Sequence, residues 1–214
     1  MTLNRIVKID FTSDVICPWC LIGLRRLEKA LESFKNQSID FQIEFHPFEL
    51  NGDLPKEGAD KLTMYRKKFG NERVEKMVPF MKAAGLEYGV HFTYSGLMAN
   101  TFDSHRLIAF AKTKGLQYQL KERLLQAYHE ESQNIGDHQV LAENYGKVGG
   151  DVQEALNFLA SDELSGPVRE EINSARRKGI SGVPNISIGG VEVEGAESPE
   201  VLVQAINKAL KTTV

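Results

Sequence analysis

The 214-residue sequence predicts an α/β fold, in which a β-α-β unit and an α-β-β-α unit share one layer and are separated by a large helical insertion. Three observations predict it. An apolar run over residues 6–11 and a strictly alternating run over residues 39–45 flank an amphipathic stretch. Apolar stripes at helical spacing fill the middle of the chain. Near the end, Gly189-Gly190 joins two short β-prone runs ahead of a capped helix. These signals divide the chain into an α/β domain over residues 1–52 and 166–214 and an inserted helical subdomain over residues 53–165.

Each element has its own signal. Ile6, Val7, Ile9 and Phe11 read as a buried strand. Residues 17–36 read as a helix, with Cys17 at the N-cap, Pro18 at the first helical position, and Leu21, Leu24, Leu27 and Leu31 on one face. Ile39, Phe41, Ile43 and Phe45 alternate with polar residues and give the second strand. Residues 51–58 read as a loop. Leu62, Tyr65 and Phe69 form one helical stripe and Val74, Met77 and Met81 another, with Pro79 expected to kink or break the helix. A glycine-punctuated loop is expected over residues 85–100. Further stripes follow at Leu107, Phe110 and Ala111, at Leu120, Leu124 and Tyr128, and at Leu141, Tyr145 and Val148, the last with Asp137 as its cap. Asp151 and Glu154 resemble a capping box, and Leu164, Val168, Ile172 and Ala175 complete a stripe ending at Gly179. Ser198-Pro199-Glu200 supplies a cap, a first-turn proline and a first-turn acid for the last helix.

Composition narrows the function. A net charge of −3 gives no general electrostatic reason to bind nucleic acid or an anionic membrane. No run approaches the length of a transmembrane helix. The opening residues are interrupted by Arg5, Lys8 and Asp10, unlike a signal peptide, so a cytoplasmic protein is expected. The run Arg66-Lys67-Lys68 reads as a solvated helix face. His46, His91, His129 and His138 lack metal-ligand spacing and read as surface or loop histidines. No metal site is expected.

The two cysteines occur as one close pair, Cys17-Pro18-Trp19-Cys20. A disulfide-stapled fold needs more cysteines, and a structural zinc site needs four ligands. Thiol chemistry is the remaining reading. A thiolate at Cys17 would face unpaired backbone N–H groups and the positive end of the helix dipole. Cys20 lies almost one turn later on the same face. The pair can therefore close and reopen as a disulfide, with Cys17 as nucleophile and Cys20 as resolving thiol. Trp19 reads as a partly exposed contact surface beside them. A second feature, Gly179-Ile-Ser-Gly-Val183-Pro184, places a proline at a strand entrance. On its own this is compatible with a cis or a trans peptide, and more often trans.

Taken together, several segments resemble the DsbA family of thioredoxin-fold proteins, in particular its FrnE-like subgroup. They are Ser13-Asp14-Val-Ile-Cys17-Pro18-Trp19-Cys20, Pro47-Phe48-Glu-Leu50-Asn51, Asn100-Thr101-Phe-Asp-Ser-His105-Arg106-Leu107, Gly182-Val183-Pro184 and Val193-Glu-Gly195-Ala196-Glu197. The resemblance implies a thioredoxin fold (β-α-β … α-β-β-α) interrupted by helices. It also implies a cis Pro184 facing the cysteines and a Val183 backbone offered to an extended substrate. Asp14 could tune a thiol or relay a proton, and His105 could face the cleft. Asn185-Ile-Ser-Ile188 departs from the more aromatic strand of that group.

The expected function is thiol–disulfide oxidoreduction, namely reduction, formation or isomerisation of disulfides. No cofactor is expected beyond the redox pair, with glutathione as a conceivable co-substrate. Partners would be thiol- or disulfide-containing proteins or small thiols. One alternative is a glutathione-dependent transferase or isomerase of the kappa or chromene-carboxylate type. Those proteins share the architecture but usually carry serine where Cys17 stands and lack the second cysteine. Another is a redox-gated binding protein or holdase.

Overall fold

A computed structural model describes residues 5–212; the outermost residues of the expected α/β domain, 1–4 and 213–214, lie outside the described residues. In chain order the elements are β1 (Arg5–Ser13), α1 (Pro18–Glu32), β2 (Ile39–Pro47), β3 (Ala59–Asp60), α2 (Lys61–Phe69), α3 (Asn71–Leu86), β4 (Leu97–Met98) and α4 (Phe102–Lys112). They continue with α5 (Gln117–His129), α6 (His138–Lys147), α7 (Val152–Leu159), α8 (Ser165–Arg177), β5 (Asn185–Ile188), β6 (Val191–Glu194) and α9 (Pro199–Thr212).

One four-stranded sheet, ordered β2-β1-β5-β6, carries the α/β layer. β1 and β2 run parallel from Arg5↔Ile39 to Ser13↔Pro47, as a helical crossover requires. β5 pairs antiparallel with β1 through Ile9↔Ile188 to Thr12↔Asn185, and β6 closes the hairpin. Val7, Ile9 and Phe11 alternate into the core, while Lys8 and Asp10 face out. The hairpin turn has φ of 53° at Gly189 and 84° at Gly190, a left-handed pair that side chains disfavour.

Two apolar clusters result. The first joins the sheet to α1 and α9 and takes in Cys17 and Cys20, with Met81 of α3 and Leu125 of α5 packed onto it. The second is built by α4–α7 and takes in Val15 and Ile16. The loop before α1 is therefore anchored in both cores, two residues on one side and the cysteines on the other. This fixes the backbone that presents the thiols.

Four local expectations need correction. α1 ends at Glu32 rather than at residue 36, and turns follow, beginning with Phe34 N–H donating to Leu31 O at 2.9 Å. The helical region after β3 breaks at Gly70, whose φ of 83° suits glycine, and α3 then continues through Pro79. The glycine-rich loop holds β4, which pairs antiparallel with β3 in a two-residue ribbon too short for a periodic signal. His129 is 3% exposed and belongs to the interior, because the C-terminal turn of α5 packs beneath the loop before α1.

Candidate active site

The cysteine loop is built from Asp14 upward. Asp14 is fully buried, and its carboxylate accepts from the Leu50 N–H at 2.8 Å and the Ile16 N–H at 3.5 Å. Its carbonyl accepts from the Cys17 N–H at 3.2 Å. These bonds tie the end of β1 to the exit of β2 and turn the chain into α1. Cys17 is the N-cap, with extended φ −87° and ψ 113°, and Pro18 starts the helix without an N–H that needs a partner. Cys17 therefore holds the position a serine or aspartate cap would take, although its side chain makes no cap hydrogen bond.

Cys17 Sγ donates to the carbonyl of Val183 at 3.4 Å, and the Val183–Pro184 peptide is cis. Gly23, on the face of α1 that carries Cys20, lets this loop come close: a Cβ there would lie 3.1 Å from Pro184 Cγ. Cys20 is completely buried. Burial pushes its thiol well above the usual range, and the Cys17 sulfur adds to this, while Lys121 and a backbone hydrogen bond with Asp14 oppose it. Both thiols are free in this structure.

Beneath the pair lie buried titratable groups. Lys121 of α5 is 1% exposed; burial pulls its ammonium down from its ordinary value, and charge on Cys20, Asp14 and Cys17 works the other way. His105 of α4 is buried, with Nε2 3.4 Å from Asp14 Oδ1. It does not face the open cleft: it backs Asp14, and with Lys121 lines a small cavity of about 60 Å³ on the far side of β2. Burial pushes His129 well below its usual range. Lys121 had a readable signal. It stands at i, i+4, i+7 with Leu125 and Tyr128, a lysine on an apolar stripe.

On the solvent side, Cys17, Trp19 and Val183 open onto a groove of about 960 Å³ walled by α2 and α3. Of the five methionines in the chain, Met64, Met77, Met81 and Met98 line it. Trp19 is half-buried, and its ring lies 6.3 Å from that of Phe80, which is 61% exposed. Among the described residues no group of three or more His, Cys, Asp or Glu side chains is arranged to hold a metal ion. His46 bridges Asp10 and Glu171, and His138 pairs with Asp103, both away from the cysteines.

A C-x-x-C motif on the first helix of a β-α-β unit, facing a cis-proline loop from an α-β-β-α unit, defines a thioredoxin-fold protein with a paired-cysteine site. The chain belongs to the family of DSBA-like thioredoxin domains, whose model matches residues 8–207. It is 27% identical over 209 residues to the uncharacterized protein YwbO of Bacillus subtilis, covering 96% of this chain and 98% of that one. The probable DsbA oxidoreductase of Streptomyces coelicolor superposes with a TM-score of 0.89 at 27% identity, covering 97% of this chain and 92% of that one. The cytosolic disulfide reductase DsbM of Pseudomonas aeruginosa shares the fold, with a TM-score of 0.62 at 16% identity, covering 95% of this chain and 96% of that one.

Proposed function

We propose that the protein catalyses thiol–disulfide exchange through Cys17 and Cys20, with Cys17 as the attacking sulfur. The observation that carries this is the placement of Cys17 at the N-cap of α1, with its Sγ on the Val183 carbonyl and the open groove before it. The thiolate of Cys17 attacks one sulfur of a substrate disulfide. A Cys17–substrate disulfide forms, the substrate S–S bond breaks, and the leaving sulfur takes up a proton. Cys20 then gives up its proton and attacks Cys17 Sγ, which forms the Cys17–Cys20 disulfide and releases the second substrate thiol. The protein dithiol is the reductant for one turnover. The reverse sequence, starting from the protein disulfide, oxidises a dithiol substrate, and reduction of one substrate disulfide followed by oxidation of a different cysteine pair isomerises a disulfide with no net change in oxidation state.

In this reading Pro18 and Trp19 shape the helix tip and its contact surface. Val183 presents backbone to an extended substrate, in the manner of edge pairing. Pro184 holds that backbone against the sulfurs. Asp14 fixes the loop, His105 packs behind Asp14, and Lys121 favours the Cys20 thiolate. Protein thiols and small thiols are the proposed partners. Glutathione is included because DsbM, on the same fold, has been solved with GSH. A cytoplasmic site of action is consistent with the lone cysteine pair. Among the described residues, no helix is long and apolar enough to cross a membrane.

A glutathione-dependent transferase would use the same groove but has no need of Cys20. The deciding experiment is trapping. The Cys20→Ser variant should accumulate a mixed disulfide through Cys17 with a disulfide substrate, detected as a mass increase reversed by reductant. Glutathione conjugation of an electrophile that survives loss of Cys20, with no trapped disulfide, would favour the transferase.

A further inference from the structure

The groove has a sign. Lys67 and Lys68 of α2 and Arg73 of α3 line it, and Asp53 is the one acidic residue among its described lining residues. All three cations are exposed, and none of them joins an ion pair among the described side chains. Instead Lys68 Nζ and Arg73 Cζ each lie 5.4 Å from the centre of the Phe69 ring. They are held over the groove by an aromatic platform rather than neutralised. This is a positive island on a chain of net charge −3. The run Arg66-Lys67-Lys68 is solvated, as its sequence suggests, but two of its residues border the site.

Two further observations point to an occupant. Tyr94 lines the groove, is 8% exposed, and carries a buried hydroxyl with no hydrogen-bond partner. On the other side of Val183, which lines both spaces, lies a second basin of about 900 Å³ whose charged lining is Asp10, Glu171, Glu192 and Glu194 against Lys178, with His46 bridging Asp10 and Glu171, so that it stays acidic on balance. The surface therefore changes sign across the Cys17–Val183 locus. The methionine floor adapts to varied apolar side chains. The groove's volume is at the upper end for small-molecule sites, which suits a length of polypeptide better than a tripeptide.

We propose that the α2–α3 wall is a charge-selective docking surface for polypeptide disulfides, one that takes a segment with acidic and apolar side chains beside the reacting cysteine. The acidic flank lies under Lys67, Lys68 and Arg73, and the apolar residue sits on the methionines and Phe80. The opposite basin repels that same acidic flank, which sets the direction in which the segment lies across Val183. This proposal rests on the assignment of Cys17 as the attacking sulfur.

The test is single-turnover reduction by the dithiol form of the full chain, with the protein itself as reductant. Four probes are used: two short cysteine peptides, each as its mixed disulfide with 2-mercaptoethanol and each carrying leucine beside the cysteine, one with glutamate flanks and one with lysine flanks, then glutathione disulfide, and neutral hydroxyethyl disulfide. The glutamate peptide should react on the order of tenfold faster than the lysine peptide at low salt, and the ratio should fall towards one as salt rises. The triple variant Lys67→Glu, Lys68→Glu, Arg73→Glu should invert the ratio. Because a ratio is read, a general loss of activity or stability in the variant does not imitate this outcome. Equal rates for the two peptides, or a preference that ignores both salt and charge reversal, would overturn the docking surface. A faster reaction with glutathione disulfide than with the glutamate peptide would overturn the polypeptide assignment. Failure to reduce even neutral hydroxyethyl disulfide would instead sink the assignment of Cys17, so the two failures are distinguishable.

Discussion

Cys17 Sγ and the carbonyl oxygen of Val183 are 3.4 Å apart although 166 residues separate them in the chain. The contact joins the β-α-β unit to the α-β-β-α unit where both line the groove. The carbonyl that now accepts the Cys17 S–H belongs to the backbone proposed to pair with an extended substrate. The proposed function thus couples docking to attack: a substrate strand beside Val183 would bring its sulfur to a thiol already oriented by that residue.

The cysteine pair should behave asymmetrically. Cys17 lines the groove at a helix N-terminus, whereas Cys20 is fully buried and its thiol is pushed up by burial. Cys17→Ser should abolish exchange. Alkylation of the reduced protein at neutral pH should modify Cys17 at least tenfold faster than Cys20, a factor of about 1.4 kcal/mol in barrier. Peptide mapping after brief exposure to iodoacetamide reads this directly, and faster labelling of Cys20 would reverse the assigned roles.

Much of this geometry was legible. The β-α-β unit, the hairpin glycines and the caps at Asp137 and Asp151 depend on local chemistry, and they appear where local chemistry places them. The cysteine pair is legible for the same reason, since proline after an N-cap is a short-range signal. Lys121 and His129 are different. Their meaning depends on α5 lying under the loop before α1, a long-range packing that no window of sequence contains. The charge of Lys67 and Lys68 was visible, but that their helix turns towards Trp19 was not. His105 was singled out, yet it faces Asp14 rather than the cleft, because α4 packs on the back of the loop.

Gly23 should be intolerant for a reason unrelated to helix propensity. Replacing a mid-helix glycine by alanine ordinarily gains about 0.5–1 kcal/mol. Here the new Cβ would meet Pro184 Cγ at 3.1 Å and Ala196 Cβ at 3.5 Å. Gly23→Ala should therefore gain little or nothing in thermal stability, and Gly23→Leu should push the Val183–Pro184 loop off α1. The larger variant should lose rate with polypeptide disulfides more than it loses reaction of Cys17 with iodoacetamide. A full stabilisation in Gly23→Ala with unchanged kinetics would show that the loop does not rest on this helix face.

His46 should make stability depend on pH away from the redox site. Burial disfavours its charged form, but hydrogen bonds to Glu171 of α8 and Asp10 of β1, with the charge of Glu44 on β2, outweigh this and hold its pKa above the ordinary value. A group raised in the folded state stabilises fully below its unfolded pKa and loses that contribution as pH rises through the folded one. The Tm gap between wild type and His46→Gln should therefore be larger near about pH 6 than near about pH 9. A gap that does not change with pH would mean that the imidazolium does not hold α8 to the sheet.

Lys121 should set the pH dependence of the second chemical step. Resolution requires Cys20 as a thiolate, and burial, reinforced by the neighbouring sulfur, makes that ionisation difficult. Lys121 is the nearby cation that opposes this, and the effect is mutual, since charge on Cys20 in turn favours the protonated lysine. The two groups can therefore share a proton as Cys20 ionises, without exporting net charge from a site of low dielectric. Lys121→Met keeps the length and the apolar stem but removes the charge. Attack by Cys17 should continue, while resolution should slow and mixed disulfide should accumulate in the steady state. The pH limb of the resolution step should move upward, so that the defect is largest near neutrality and shrinks in alkali. Stopped-flow measurement of mixed-disulfide decay across pH separates this from a packing defect, which would slow decay equally at every pH. A variant whose limb stays at the wild-type pH would show that Lys121 fills space beneath Cys20 without tuning it.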